Sequence, residues 1–204
     1  LIFSICTLQR QTNSSVSDYF QYLIYAFAIL LPLLTMKSLS EERKTKSEQL
    51  LMTSPVSVGG MIMGKYFAAL TVFASVLLCN SLNFLLLEKY GDPNFRLIFS
   101  NLLCLFFIGA LFLAIGIFFS SLTEDTLIAA IASIDVIFVM LAVNFLSEIS
   151  ISWLKKVVDW ISILARYEPF TYGILDITSV IYYVTVAAVF LFLAVRVYER
   201  RRWA

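Results

Sequence analysis

Histidine is absent from this 204-residue chain. Its absence removes the commonest general base and the commonest metal ligand together. Cysteine is scarce: Cys6, Cys79 and Cys104 stand apart in apolar surroundings without CxxC spacing. They read as small buried hydrophobes, and neither a disulfide framework nor a redox compartment follows from them. Net charge is only +1, so no global field points to nucleic acid or to an acidic substrate. No stretch matches GxxxxGK[ST], the loop that cradles nucleotide phosphates. The apolar runs also lack the period-2 alternation of a barrel wall.

What the chain has instead is hydrocarbon. It is 60% hydrophobic, with a mean hydropathy of +0.88. A helix needs about 20 mostly apolar residues to cross a hydrocarbon core of roughly 30 Å. Tyr19–Met36, Met61–Leu87, Leu97–Phe119, Thr126–Leu146 and Ile174–Val195 approach or exceed that length. Helices satisfy their own backbone hydrogen bonds in lipid, and an open sheet does not. The fold class is therefore all-α, a polytopic membrane helical bundle forming one transmembrane domain over residues 1–204.

Cytoplasmic loops carry the excess of Lys and Arg. The strongest basic clusters are Lys37, Arg43, Lys44, Lys46 and Lys65, and then Arg196, Arg200, Arg201 and Arg202. The four runs from Met61 to Val195 return the chain to the side on which it started, so both clusters fit the inner face. Arg10, Lys89, Arg96, Lys155, Lys156 and Arg166 then fall outside. Leu1–Leu8, LIFSICTL, reads as the tail of an earlier span, with an outer loop to residue 18. About six spans are expected in all, the first largely missing from this sequence.

Ser40–Lys65 is a charge-dense segment between two apolar runs. Thr53-Ser54-Pro55 should break a helix there, because Pro lacks an N–H and biases the residue before it away from the helical region. Gly59-Gly60 permit a sharp turn into the next span. The expectation is a short inner-surface helix over residues 40–54, either an ordinary interfacial anchor or a handle for a soluble partner.

Asp135 is the most singular side chain. It falls near the middle of the fourth complete run, where a charge costs at least about 2.5–3.5 kcal/mol. It either lines a translocation path or dimer seam, or is a carboxyl buried against a neighbouring helix. Ser121-Leu-Thr-Glu124 has capping-box spacing for the helix that follows. Asn80, Asn83 and Asn101 are candidates for hydrogen bonds between helices. Asp176 and Arg166 fall near the outer ends of spans. Between Ser147 and Phe170, apolar residues at helical spacing opposite Lys155, Lys156 and Asp159 predict an outer interfacial helix over 147–170.

The segment SLSEERKTKSEQLLMTSPVSVGGMIMGKY resembles the signature of permease subunits of type 2 ABC transporters. RYEPFTYGILDITSVIYYVTVAAVFLFLAVRVYERRRW is similar to the end of the gliding-associated permease subfamily, and FFSSLTEDTLIAAI resembles that family's turn into the fifth span. The resemblance implies that residues 40–54 form a coupling helix seated in a groove of a separate ATPase. Glu41, Glu42, Arg43 and Lys44 would make its charged contacts, and Leu50, Leu51 and Pro55 would pack. Two positions depart from the pattern: Lys46 replaces a common Gly, and Gln49 a common Glu, so Gln49 keeps hydrogen-bonding capacity without charge.

The resemblance further implies an ATP-driven exporter that is not itself an enzyme. Its partners would be two copies of an ABC ATPase, which carry ATP and Mg, a second permease subunit (homo- or heterodimer), and membrane lipid. It would be a multi-pass protein of a bacterial cytoplasmic membrane with a cytoplasmic C-terminus. The alternatives are an ATP-independent channel or scaffold, and an intramembrane aspartyl protease using Asp135 and Asp176.

Overall fold

Six helices account for the described residues, which in this computed structural model are 13–45, 57–88, 95–146 and 162–202. They are α1 (Asn13–Lys44), α2 (Val58–Glu88), α3 (Phe95–Leu122), α4 (Thr126–Leu146), α5 (Ile163–Thr171) and α6 (Ile177–Arg202). Among the described residues there is no strand. All of these except α5 are long and apolar enough to cross a membrane.

The predicted runs and the observed helices agree closely, with two differences that have local causes. First, α1 has 32 residues and starts at Asn13, so residues 13–18, expected as outer loop, are helical, and it runs on past Met36 to Lys44. At about 1.5 Å per residue it is about 48 Å long, well beyond a hydrocarbon core of roughly 30 Å. Its last turns, including Ser40–Lys44, therefore extend the span as one continuous rod into the polar phase. Residues 46–54 of the expected coupling helix lie outside the described residues. Second, the last span begins at Ile177 rather than Ile174, because a helix stop and a helix start are packed into the residues before it.

That stop is Gly173, which has a φ of 77°. Its N–H donates to Phe170 O at 3.0 Å and the Ile174 N–H donates to Pro169 O at 3.2 Å, the paired bonds that close a helix on a left-handed residue. The start is Asp176, whose carboxylate accepts from Thr178 N at 3.1 Å and Ser179 N at 3.2 Å. It also accepts from the Ser179 hydroxyl at 2.6 Å. These bonds satisfy N–H groups that the first turn of a helix leaves without partners.

The core is built on α3, which touches every other helix. Most of its residues are buried, from Ile98 through Ser121. Two glycines set how closely its neighbours approach. A Cβ added at Gly116 would lie 2.0 Å from Thr35 Oγ1 and 3.6 Å from Pro32 Cα, so α1 and α3 cross almost backbone to backbone. A Cβ at Gly109 would lie 2.2 Å from the Phe73 ring of α2. Phe73 stands edge-on to Phe27, with centroids 5.2 Å apart, and stacks on Phe106 at 6.4 Å.

On the other flank of α3 the packing is looser. A cavity of about 230 Å³ lies between α2, α3 and α6, bordered by Tyr66, Phe67, Phe106, Phe107, Tyr183 and Leu191. The bundle's surface is apolar, with Leu78, Leu127, Ile131 and Phe192 exposed, as a lipid-facing wall requires. Cys104 is buried as expected; Cys79 is exposed on α2 and so is no core residue.

Candidate functional site

Charge concentrates where α1 ends. Lys37, Arg43 and Lys44 of α1, Lys65 of α2, and Arg196 and Arg200 of α6 mark this end of the bundle. Arg96 and Arg166 lie at the opposite end. The final turn of α1 is held on two sides. Toward α2, Lys65 forms an ion pair with Glu42 and donates to the Ser38 carbonyl. Toward α3 and α4, Arg43 donates to the Glu124 carboxylate at 2.8 Å and to the Leu122 carbonyl at 3.0 Å. Leu122 is the last residue of α3, so its carbonyl is one that a helix end leaves without an internal partner. A guanidinium satisfies it and complements the negative end of the helix dipole.

Ser120, fully buried two residues earlier on α3, completes the joint. Its Oγ accepts from the backbone N–H groups of Leu39 at 3.0 Å and Ser40 at 3.1 Å, and donates to Met36 O at 3.0 Å. A single hydroxyl thus stitches α3 onto the backbone of α1. The Ser40 hydroxyl turns back onto the Met36 carbonyl of its own helix.

Of the eight residues assigned above to ATPase contact, Glu41, Glu42, Arg43 and Lys44 share this final turn. Glu41 and Lys44 are exposed, whereas Glu42 and Arg43 are partly buried and engaged within the chain. Gln49, Leu50, Leu51 and Pro55 lie outside the described residues. The sequence reading did not find Ser120, or Glu124 as the partner of Arg43. Ser121–Glu124 does not form the expected capping box: α3 runs through Leu122, and the buried Ser121 hydroxyl donates back to Phe118 O at 2.6 Å. The turn into α4 is instead supported by Thr123 Oγ1, which accepts from Asp125 N at 3.2 Å.

Asp135 lies on α4 as expected, on the exposed face that also carries Ile131, Phe138 and Val139. It makes no ion pair among the described residues. An exposed carboxyl amid such side chains is costly in lipid without a polar partner. Asp176 is committed to capping α6, and the hydrogen bond from Ser179 is the main cause that holds its carboxyl below the usual range.

At the opposite end, Asn101 of α3 anchors α5. Tyr167 donates to Asn101 Oδ1 at 2.5 Å, while Asn101 Nδ2 donates to Leu97 O at 2.8 Å and to Phe170 O at 3.2 Å. Tyr183 of α6 donates to Ile163 O at 3.0 Å, and Arg166 lies over the Tyr182 ring at 4.2 Å. The Ser162 hydroxyl caps the helix by accepting from Ala165 N. Residues 147–161 of the expected outer helix lie outside the described residues. Asn80 also joins two helices, accepting from the Tyr19 hydroxyl at 2.7 Å.

These features describe a five-span bundle whose first described helix overruns the apolar slab and carries a charged, braced tip. A profile of the ABC-2 family transporter proteins matches residues 3–197. The chain belongs to the ABC-2 transporter family. No curated protein matches it. As a family member it is a multi-pass transmembrane transporter component, distinct from the ATPase with which permeases of this family work.

Proposed function

We propose that the chain is the permease subunit of an ATP-driven ABC exporter, with its basic end in the cytoplasm. The observation that carries this reading is the charged extension of α1 beyond the slab, in a chain that belongs to the ABC-2 family and has no phosphate-binding loop of its own. The concentration of Lys and Arg at that end supports the orientation, and with it a cytoplasmic C-terminus. ATP and Mg sit on two copies of a separate ATPase. The exposed Glu41 and Lys44 meet that ATPase directly, Gln49 offers it a hydrogen bond, and Leu50, Leu51 and Pro55 pack into its groove. Hydrolysis displaces this segment, and the spans alternate between inward- and outward-facing arrangements.

A second permease subunit completes the path. Asp135 supports a seam or pathway role, because its exposed face is where another subunit or a polar route would relieve a carboxyl in lipid. The tail's similarity to the gliding-associated subfamily stands as the finer part of the reading.

Co-expression with an ABC ATPase and purification in lipid nanodiscs tests the function. Expected are a stable complex and vanadate-sensitive ATP hydrolysis that falls when Glu41 and Lys44 are both reversed in charge. A chain that binds no ATPase, yet conducts solute in vesicles without ATP, is a channel.

A further inference from the structure

The tip of α1 is bonded to its neighbours in a pattern that surface solvation does not require. Arg43 has a side chain only 13% exposed, although it stands at a charged helix end where water is at hand. Two of its bonds go to two different pieces of structure: the terminal carbonyl of α3 and the carboxylate of the turn that starts α4. Ser120 holds the preceding turn of α1 through three backbone groups. Gly116, one turn further along α3, lets the two backbones meet. Glycine contact, hydroxyl stitch and guanidinium fork thus follow one another toward the tip, so α1 and α3 are fastened along their last turns. Beyond the end of α3, Arg43 reaches α4 through Glu124.

We propose that Arg43 is a positioning residue that carries displacement of the segment after α1 into α4, with Glu124 as its receiver. The proposal rests on the permease reading, since a motor must act on that segment. Through Arg43 and Ser120 the motion reaches α3 and α4, and through the Glu42–Lys65 pair it reaches α2. Glu42 and Arg43 then belong to the chain's internal linkage, while the exposed Glu41 and Lys44 remain for the partner. A planar fork is needed because one cation must meet a carbonyl and a carboxylate together, which Lys does poorly.

The test uses the full chain in complex with its ATPase, with Cys6 and Cys79 changed to Ser and Cys104 to Ala. Spin labels at T45C and L127C read the joint itself. Labels at V72C and L127C read the movement of α4 against α2 when the complex is trapped with ATP and vanadate. In the parent protein the first distance is narrow, and stays narrow on trapping, while the second shifts. R43E and E124R are each expected to broaden the first distance and abolish the shift, although vanadate trapping by the ATPase persists. The reversed pair R43E/E124R restores a narrow distance and part of the shift, because the ion pair re-forms while the bond from Arg43 to the Leu122 carbonyl stays lost. R43K falls between.

Coupling in such systems is worth about 5–150-fold, so a tenfold drop in the trapped, shifted population is the expected scale for each single reversal. A shift retained in R43E overturns the linkage and leaves the permease reading intact. A parent complex that traps nucleotide without any shift overturns both. Failure of the reversed pair to recover either distance, with the complex still assembled, overturns the role of the Arg43–Glu124 pair.

Discussion

The two flanks of α3 are built differently. Toward α1, Gly116 admits Thr35, and Ser120 and Arg43 tie the backbones together. Toward α2 and α6, large aromatic side chains border an open apolar cleft of about 230 Å³. Lipid is as apolar as leucine, so helix association in a membrane relies on close packing and hydrogen bonds more than on the hydrophobic effect. By that measure the α1 flank is stitched backbone to backbone, whereas the other flank is held by side chains around the cavity, the Tyr66 hydroxyl donating to Ala110 O at 3.3 Å. The contrast separates a pair of helices suited to move as one body from a flank that can repack.

The sharpest way to break the contrast is Gly116→Val. Its side chain would drive into Thr35, whose hydroxyl is already bonded to Leu31 O and Pro32 O. Overpacking of this kind costs about 1–3 kcal/mol, and the upper end is expected because Pro32 backbone lies behind. A large fall in the thermal unfolding temperature in detergent checks it, and an unchanged value would mean the crossing is not close.

Next comes Asn101→Leu, which leaves the buried Tyr167 hydroxyl without its acceptor and takes one of two donors from the Phe170 carbonyl, which keeps the Gly173 N–H. A loss of about 1–2 kcal/mol is expected. The distinguishing measurement is hydrogen exchange, which should rise across residues 163–171 and little elsewhere.

Asp176→Ala removes the cap of α6 and should cost about 1 kcal/mol. Because the folded carboxyl is held below its usual value, its contribution is fully present above the unfolded value near 3.8. It fades as pH falls through the lowered folded value. The stability gap between parent and variant should therefore close only in strong acid; a gap that closes near neutrality would assign the effect to another group.

The smallest effect is predicted on the loose flank. Ala188→Leu adds bulk at the border of the cavity and should change stability by less than about 1 kcal/mol, measured by the same unfolding assay. If it proves as damaging as Gly116→Val, the two flanks are not different in kind.

The spans were legible in the sequence because length and hydrophobicity suffice to define a crossing. Gly173 was visible only as part of a resemblance, and Asp176 was read as lying near the outer end of a span rather than as a cap. Their reason is local and physical: one ends α5 in a left-handed turn and the other caps α6 three residues later. The pairing of Arg43 with Glu124 was not legible. The two are 81 residues apart, and no periodicity links the end of one helix to the turn between two others. Glu124 also satisfied a capping-box pattern, so a local rule supplied a plausible use for a side chain that the tertiary fold employs elsewhere. The charged tip stood out in the sequence. What pattern alone could not decide was which of its four charges point inward to the chain and which remain free for another protein.

The central place of α3 also bears on how the protein is made. The two helices that precede it meet each other through long side chains such as Tyr19–Asn80, Phe27–Phe73 and Glu42–Lys65, but each lays its closest contact on a glycine of α3. During synthesis α1 and α2 must enter the bilayer before that shared surface exists. Assembly of the described bundle then waits on insertion of α3, and a nascent chain stalled before Phe95 would hold α1 and α2 with no keel to gather them.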